Sequence, residues 1–166
     1  MQFRIDLSHH QTSNSVLIYR PDEYSFAVVP TPSNGFTSVL LDDLNLELNE
    51  IGKVISVWGM CPHTRWTRAT LTAPDPPFGD TFFVPDVPIS RGISLRLNRD
   101  GYLPVRVDPK SGWILIQTPG KPVSSVKLLS GVIFEFSEQS LLCAVWLCPQ
   151  QEFGNRALDL GELMRA

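Results

Sequence analysis

Hydrophobic and polar residues alternate along several short segments of this chain, which is the pattern of half-buried β-strands. Phe3–Leu7 and Leu44–Leu48 are the clearest cases, with an apolar residue at every second position. The turn residues Asn49–Gly52 follow the latter, and Lys53–Trp58 continues as an apolar segment. A β-hairpin is predicted there, with glycine available for a left-handed turn position.

The strand pattern occurs twice. Shifted by 88 positions, the chain aligns with itself without a gap, so that Trp58 falls on Trp146 and Glu47 on Glu135. Apolar character is also preserved at positions where the two residues differ, which is the signature of an internal repeat. The predicted repeats are residues 3–61 and 91–149.

The predicted fold is therefore all-β, with about ten largely antiparallel strands. We expect one compact domain over residues 1–166, in which two pseudo-twofold-related β units form a sandwich or a barrel-like arrangement. The connector 62–90 is rich in proline, which excludes helix and central strand, and its aromatic residues predict that it packs over the sheets in an ordered form. The tail 150–166 carries the only helical pattern, so a short C-terminal helix is predicted.

Composition narrows the classes of partner. The chain of 166 residues has a formal net charge of −3, whereas a duplex-binding surface needs an excess of basic residues, so no nucleic-acid partner is predicted. No segment approaches the roughly 18 consecutive apolar residues of a membrane span, and the N-terminus does not resemble a signal peptide. Three cysteines do not suggest a disulfide framework. We expect a cytoplasmic protein with buried thiols, as a monomer or homodimer.

Motifs of nucleophilic or phosphate chemistry are missing from the sequence. Ser124–Lys127 matches S-x-x-K, but in a predicted strand residues three apart face opposite ways, so no catalytic residue is assigned. A zinc site would need four nitrogen or sulfur ligands. The candidate ligands are His9, His10, His63, Cys61 and Cys148, for which buried thiols and a loop histidine are the simpler interpretation. Neither a metal nor a cofactor is predicted.

Arg65, Trp66 and Arg68 lie together in one segment of the connector. An aromatic ring flanked by guanidinium groups suits a protein-binding hot spot, and in principle a stacked base. The same pattern also fits a loop anchor, with the tryptophan in the core and the arginines reaching outward. These three residues, with the neighbouring pair Phe82 and Phe83 as apolar anchors, are predicted to contact a partner.

Acidic residues are concentrated in the first repeat, where residues 1–61 hold three basic and seven acidic side chains. The predicted acidic patch consists of Asp42, Asp43, Glu47 and Glu50. Asp42 and Asp43 align with Ser130 and Gly131, so the shared fold does not require them. They suit electrostatic docking of a basic partner, or a strand edge kept soluble by charge. Their replacement by asparagine is expected to weaken binding without lowering stability.

The segment 40–59, Leu-Leu-Asp-Asp-Leu-Asn-Leu-Glu-Leu-Asn-Glu-Ile-Gly-Lys-Val-Ile-Ser-Val-Trp-Gly, resembles the acidic hairpin of small uncharacterised bacterial β-proteins. Some of these proteins lie in toxin–immunity loci. The resemblance implies a small bacterial binding protein and assigns no residue a role.

Together these observations predict a non-enzymatic protein-binding module, in its most specific form an immunity- or antitoxin-type inhibitor that masks a basic toxin such as a nuclease. Two alternatives remain open. One is an enzyme or small-ligand-binding protein with a site between the repeats, built from Cys61, His63, Arg65 and carboxylates. The other is a structural module that assembles with itself.

Overall fold

Fourteen strands and one short α-helix make up the computed structural model of the protein, which describes residues 1–8, 14–98, 101–153 and 156–165. The strands are β1 (Gln2–Asp6), β2 (Val16–Arg20), β3 (Ser25–Val29), β4 (Thr37–Leu41), β5 (Leu44–Leu48), β6 (Val54–Met60), β7 (Thr67–Arg68), β8 (Asp80–Val84), β9 (Leu95–Arg96), β10 (Val105–Asp108), β11 (Trp113–Gln117), β12 (Ser124–Leu129), β13 (Val132–Phe136) and β14 (Leu142–Leu147). The helix is α1 (Leu160–Leu163), which begins at Asp159, whose carboxylate accepts a hydrogen bond from the Glu162 N–H at 2.9 Å. The all-β prediction with a short C-terminal helix is confirmed.

Two six-stranded sheets form most of the molecule. The first sheet runs in the order β2-β3-β6-β5-β4-β9, and the second in the order β7-β10-β11-β14-β13-β12. Their pairings are antiparallel except where the two-residue strands β7 and β9 add to an edge. Side chains from both sheets enter one hydrophobic cluster, so the fold is an open sandwich and not a closed barrel. No described helix is long and apolar enough to cross a membrane.

The strands β2–β6 correspond one by one to β10–β14. Their order in the two sheets is the same, and the same bulge interrupts the pairing next to Glu47 and next to Glu135. The hairpin turns also match, because the Gly52 N–H donates to the Asn49 carbonyl and the Ser140 N–H to the Ser137 carbonyl. Ser140 adopts the positive φ that Gly52 has in the first copy, 61° against 79°.

The duplication is shorter at its start than the sequence predicts. Residues 2–6 form β1, which pairs with β8 in a separate two-stranded sheet instead of joining the first sheet. The aligned segment before the second copy forms no equivalent strand; β9 adds to the edge of β4. The apolar alternation of the first segment is real, but its partner is the connector, because Phe3 packs against Phe83 and Phe136 at ring-centroid distances of 5.4 Å.

Each copy covers an edge of the other. After β6 the chain passes to the second sheet, where β7 lies parallel to β10 with Thr67 opposite Arg106. After β14 it passes to the first sheet, where the Gln150 N–H donates to the Leu17 carbonyl at 2.8 Å and Gln150 lies opposite Ile18. Ile18 and Arg106 are equivalent positions, so the exchange is reciprocal and protects both edge strands.

Equivalent residues anchor these exchanged segments with different chemistry. In the second sheet the Asp108 carboxylate accepts a hydrogen bond from the Leu71 N–H at 3.0 Å, and this bond lowers the pKa of Asp108. At the matching position of the first sheet, Arg20 pairs with Glu152 at 2.8 Å. The connector and the tail are therefore tied to the sandwich at symmetric places.

Candidate functional site: the outer face of the first sheet

The outer face of the second sheet is covered by the connector. Leu115, Trp146 and Ile133 lie opposite one another in a row across β11, β14 and β13, and all three are buried. Leu71 packs on this row together with the half-buried Ala69 and Ala73. The extended segment 69–73 therefore acts as a strap over one face of the sandwich.

Among the described residues, no segment packs on Trp58 of the first sheet as Leu71 packs on Trp146 of the second. The residues of β5 and β6 that point to the outer side of the first sheet, with Asp43 just before β5, form what we call the Trp58 face. They are Asp43, Asn45, Glu47, Ser56, Trp58 and Met60. Trp58 is 43% exposed, whereas its counterpart Trp146 is 7% exposed. Met60 is also exposed, at 51%. A large aromatic side chain thus stands open on a surface whose duplicate is closed.

The two faces differ in the residues around the retained tryptophan. Asn45 stands where the second copy has Ile133, and Ser56 where it has Ala144. Asn45 and Ser56 are polar but buried, at 9% and 2% exposure, so the open part of the first face consists of Trp58, Met60 and Asp43. Trp58 and Glu47 are the two residues of the second face that the first face keeps.

Glu47 lies in a different environment from its equivalent. Glu135 accepts a hydrogen bond from the Trp146 indole N–H at 2.7 Å. Glu47 is half-buried close to Gly35, and within the described part of the chain its carboxylate has no hydrogen-bond or ion-pair partner. Burial raises the pKa of Glu47 above its usual value. The Trp58 face therefore carries a partly desolvated carboxylate that lacks a donor.

Replacing Glu47 with glutamine is expected to raise the free energy of unfolding at pH 7. Because the pKa of this carboxyl is raised in the folded protein, its neutral form is favoured by folding, and that stabilisation is lost as the pH rises through the folded-state pKa. The difference between variant and wild type should disappear below the unfolded pKa of about 4.3. Urea unfolding of wild type and variant measures the stability difference at neutral pH and its disappearance at acidic pH.

Glu135→Gln is the matched control, and it should lower stability at neutral pH by about 0.5–1.5 kcal/mol because it weakens the hydrogen bond from Trp146. A loss of stability at neutral pH for Glu47→Gln as well would contradict an unpartnered Glu47.

The predicted acidic patch is divided between separate places. Asp42 and Asp43 lie in the turn before β5, and Glu50 lies in the turn after it, where it pairs with Arg91 at 3.1 Å. Glu47 stands on the sheet between these turns. Only Asp43 and Glu47 share the Trp58 face.

Asp42 has a structural role that the sequence did not indicate. Its carboxylate accepts hydrogen bonds from the Asn98 side-chain amide and from the Leu103 N–H, the latter at 2.8 Å. Its carbonyl accepts from Arg96 at 3.1 Å, and its N–H donates to the Asn98 side chain. Replacement of Asp42 by asparagine is therefore expected to loosen the segment before β10, so a combined change with Asp43 does not test binding alone.

The Arg-Trp-Thr-Arg segment is a loop anchor. Trp66 is buried and packs against Tyr19 and Phe26, with ring-centroid distances of 5.0 and 6.2 Å. Arg65 and Arg68 are exposed on either side of it, as expected for a loop anchor with its tryptophan in the core. Trp66 is thus part of the sandwich core and presents no surface to a partner.

The two phenylalanines of β8 face opposite ways. Phe83 is 3% exposed and packs on Phe3 in the core. Phe82 is half-buried, with the Arg4 guanidinium 4.2 Å from its ring centroid. Neither residue lies on the Trp58 face, so these two predicted anchors and that face are separate features of the molecule.

Three of the histidine and cysteine candidates, His63, Cys61 and Cys148, lie in the described part of the chain. Among the described residues there is no group of three side chains able to hold a metal ion. His9 and His10 lie outside the described residues. His63 stacks on Tyr24, and its Nδ1 lies 3.2 Å from the Tyr19 hydroxyl. Burial raises the pKa of the Cys61 thiol to about 11, so this thiol stays protonated at neutral pH and packs as a small apolar side chain.

Sequence reasoning missed Trp58 as a site residue, although the repeat contained the signal. The alignment pairs Trp58 with Trp146, and Asn45 and Ser56 stand where the second copy has Ile133 and Ala144. This difference in polarity around the two tryptophans indicates that they lie in different environments, although Asn45 and Ser56 are themselves buried.

Comparison with protein-family models and with curated protein sequences finds no match for this chain.

Proposed function

We propose that this protein is a protein-binding module that holds an extended segment of a basic partner on the Trp58 face. The observation that carries the proposal is a comparison within the chain. The equivalent face of the second sheet holds an extended strap, residues 69–73 of the same chain. The first sheet has the same strand order and the same central tryptophan, and within the described ranges no segment packs on that tryptophan in the same way.

The strap over the second face indicates the chemistry of the bound segment. It carries Ala69, Leu71 and Ala73 at alternate positions toward the sheet, so small and aliphatic side chains pack on the tryptophan row. Trp58 offers a similar platform, and tryptophan is enriched at the energetic centres of protein interfaces. Its neighbours Asn45 and Ser56 are buried, so the surface open to a partner is Trp58 together with the exposed Met60 and Asp43.

The charges favour a basic partner. Asp43 and Glu47 are the ionisable residues of the Trp58 face, and both are acidic. A lysine or arginine placed beside Glu47 would supply the donor that Trp146 gives Glu135 in the other copy. Opposite charge on the partner would also accelerate association at low salt.

An immunity- or antitoxin-type inhibitor that masks a basic toxin, acting in a bacterial cytoplasm without catalysis of its own, is the more specific form of this proposal. It stays a prediction from the acidic first repeat and the resemblance of residues 40–59.

Affinity capture from a lysate of the source cells, with the purified protein as bait at low and moderate salt, tests the function. Wild type and Glu135→Gln should retain the same basic protein. Trp58→Ala should lose it, and Glu47→Gln should retain less of it, with a weaker dependence on salt. Retention of the partner by Trp58→Ala at the wild-type level would contradict the proposal, as would the absence of any protein retained specifically by wild type.

A further inference from the structure

A cavity of about 200 Å³ lies between the two copies, beside the turn that precedes β5. Its apolar walls come from both repeats, which contribute Leu41, Leu44, Met60, Leu103, Val105 and Ile116. Cys61, Pro62 and Pro104 also contribute to the apolar part. Because the exchanged connector passes here from the first sheet to the second, the cavity is a product of the duplication.

The polar groups of this cavity differ in whether they have partners. The Asp42 carboxylate already accepts hydrogen bonds from Asn98 and Leu103, and the Thr67 hydroxyl donates to the Val105 carbonyl at 3.2 Å. The Arg65 guanidinium is held over the Tyr102 ring, 3.8 Å from its centroid. Within the described ranges it makes no hydrogen bond and no ion pair. Arg65 is exposed, so its N–H groups face solvent and are available to an acceptor on a ligand.

We propose that this cavity binds an uncharged small molecule with one aromatic or aliphatic ring and a carbonyl-type acceptor directed at Arg65. The size of the ring follows from the volume, because a dry apolar cavity of about 150 Å³ holds benzene in another protein. The acceptor follows from the N–H groups of Arg65, which have no protein acceptor among the described residues. A carboxylate on the ligand would be opposed by Asp42 and Asp43, which also line the cavity, so the ligand is neutral.

Benzamide is the probe for this proposal, since it combines one ring with an amide carbonyl. Its titration into isotope-labelled protein should shift the NMR methyl signals of Leu44 and Ile116, with a dissociation constant of about 1 mM or below. Toluene, which lacks the acceptor, should bind about fivefold more weakly.

Two variants locate the binding. Arg65→Gln should weaken benzamide binding about fivefold. Arg68 is also exposed but lies outside the cavity, so Arg68→Gln should leave the affinity unchanged. Thr67→Phe adds a ring at the cavity wall and should abolish the methyl shifts, with circular dichroism showing that the variant folds.

Absence of methyl shifts with benzamide at 10-fold the expected dissociation constant would overturn the proposal, as would equal affinities of the Arg65 and Arg68 variants. Occupation of the cavity by a side chain of the protein partner alone would appear as methyl shifts with the partner and none with benzamide, which also overturns it.

Discussion

Replacing Trp66 with alanine is expected to lower the free energy of unfolding by about 3–5 kcal/mol. The side chain is 5% exposed and lies among Tyr19, Phe26 and His63 at the point where the connector leaves the first sheet. Its removal would leave a cavity that these rings cannot fill without moving the strands that carry them. Urea unfolding followed by circular dichroism measures the change.

Trp58→Ala is the matched control, because it removes the same side chain from the surface. With Trp58 43% exposed, the expected loss of stability is about 1–2 kcal/mol, well below that of Trp66→Ala. Comparable losses for the two variants would show that Trp58 is packed like a core residue, and would remove the basis for the Trp58 face.

Phe83→Ala should have a similarly large effect, a loss of about 3–5 kcal/mol. Phe83 connects the small sheet of β1 and β8 to the main core through Phe3, whose ring also contacts Phe136. The substitution therefore removes both its own packing and the support of β1. For a chain of this length, thermal unfolding should occur about 10 °C lower or more.

Phe82→Ala tests the opposite side of the same strand. Phe82 is half-buried under Arg4, so its truncation should cost about 1 kcal/mol. If Phe82→Ala destabilised the protein as much as Phe83→Ala, the placement of Phe83 in the core and of Phe82 on the opposite side of β8 would be wrong.

The fold could be predicted largely from the sequence because the strand pattern lies in short local segments and occurs twice in the chain. Period-two alternation defines strands such as Leu44–Leu48, and the shift that aligns Trp58 with Trp146 reveals the duplication. What the pattern could not show is which strands pair. Residues 2–6 alternate like the others but pair with β8, because pairing depends on where the proline-rich connector returns.

The candidate site was less accessible to sequence reasoning. A tryptophan between two arginines looks the same in sequence whether it anchors a loop or meets a partner, and the burial of Trp66 depends on Tyr19 and Phe26 far away in the chain. The acidic residues posed the same difficulty. Asp42 is bound to a segment more than fifty positions away, and its carboxylate is therefore committed to the fold.

The divergence of the two copies connects fold and function. Both sheets have an outer face with a tryptophan and a glutamate, and the connector covers the second. In the first copy Trp58 is exposed, and Glu47 has no donor in the part of the chain that the structure describes. This difference fits the proposed function, in which the second copy closes the fold and the first holds a partner.

The affinity of the captured partner for wild type and for Trp58→Ala, measured by calorimetry with purified proteins, tests the central claim most directly. If the Trp58 face is the binding surface, removal of its tryptophan should cost about 2 kcal/mol or more, an increase in Kd of about 30-fold. An unchanged Kd, with the variant folded, would show that the partner binds elsewhere on the molecule.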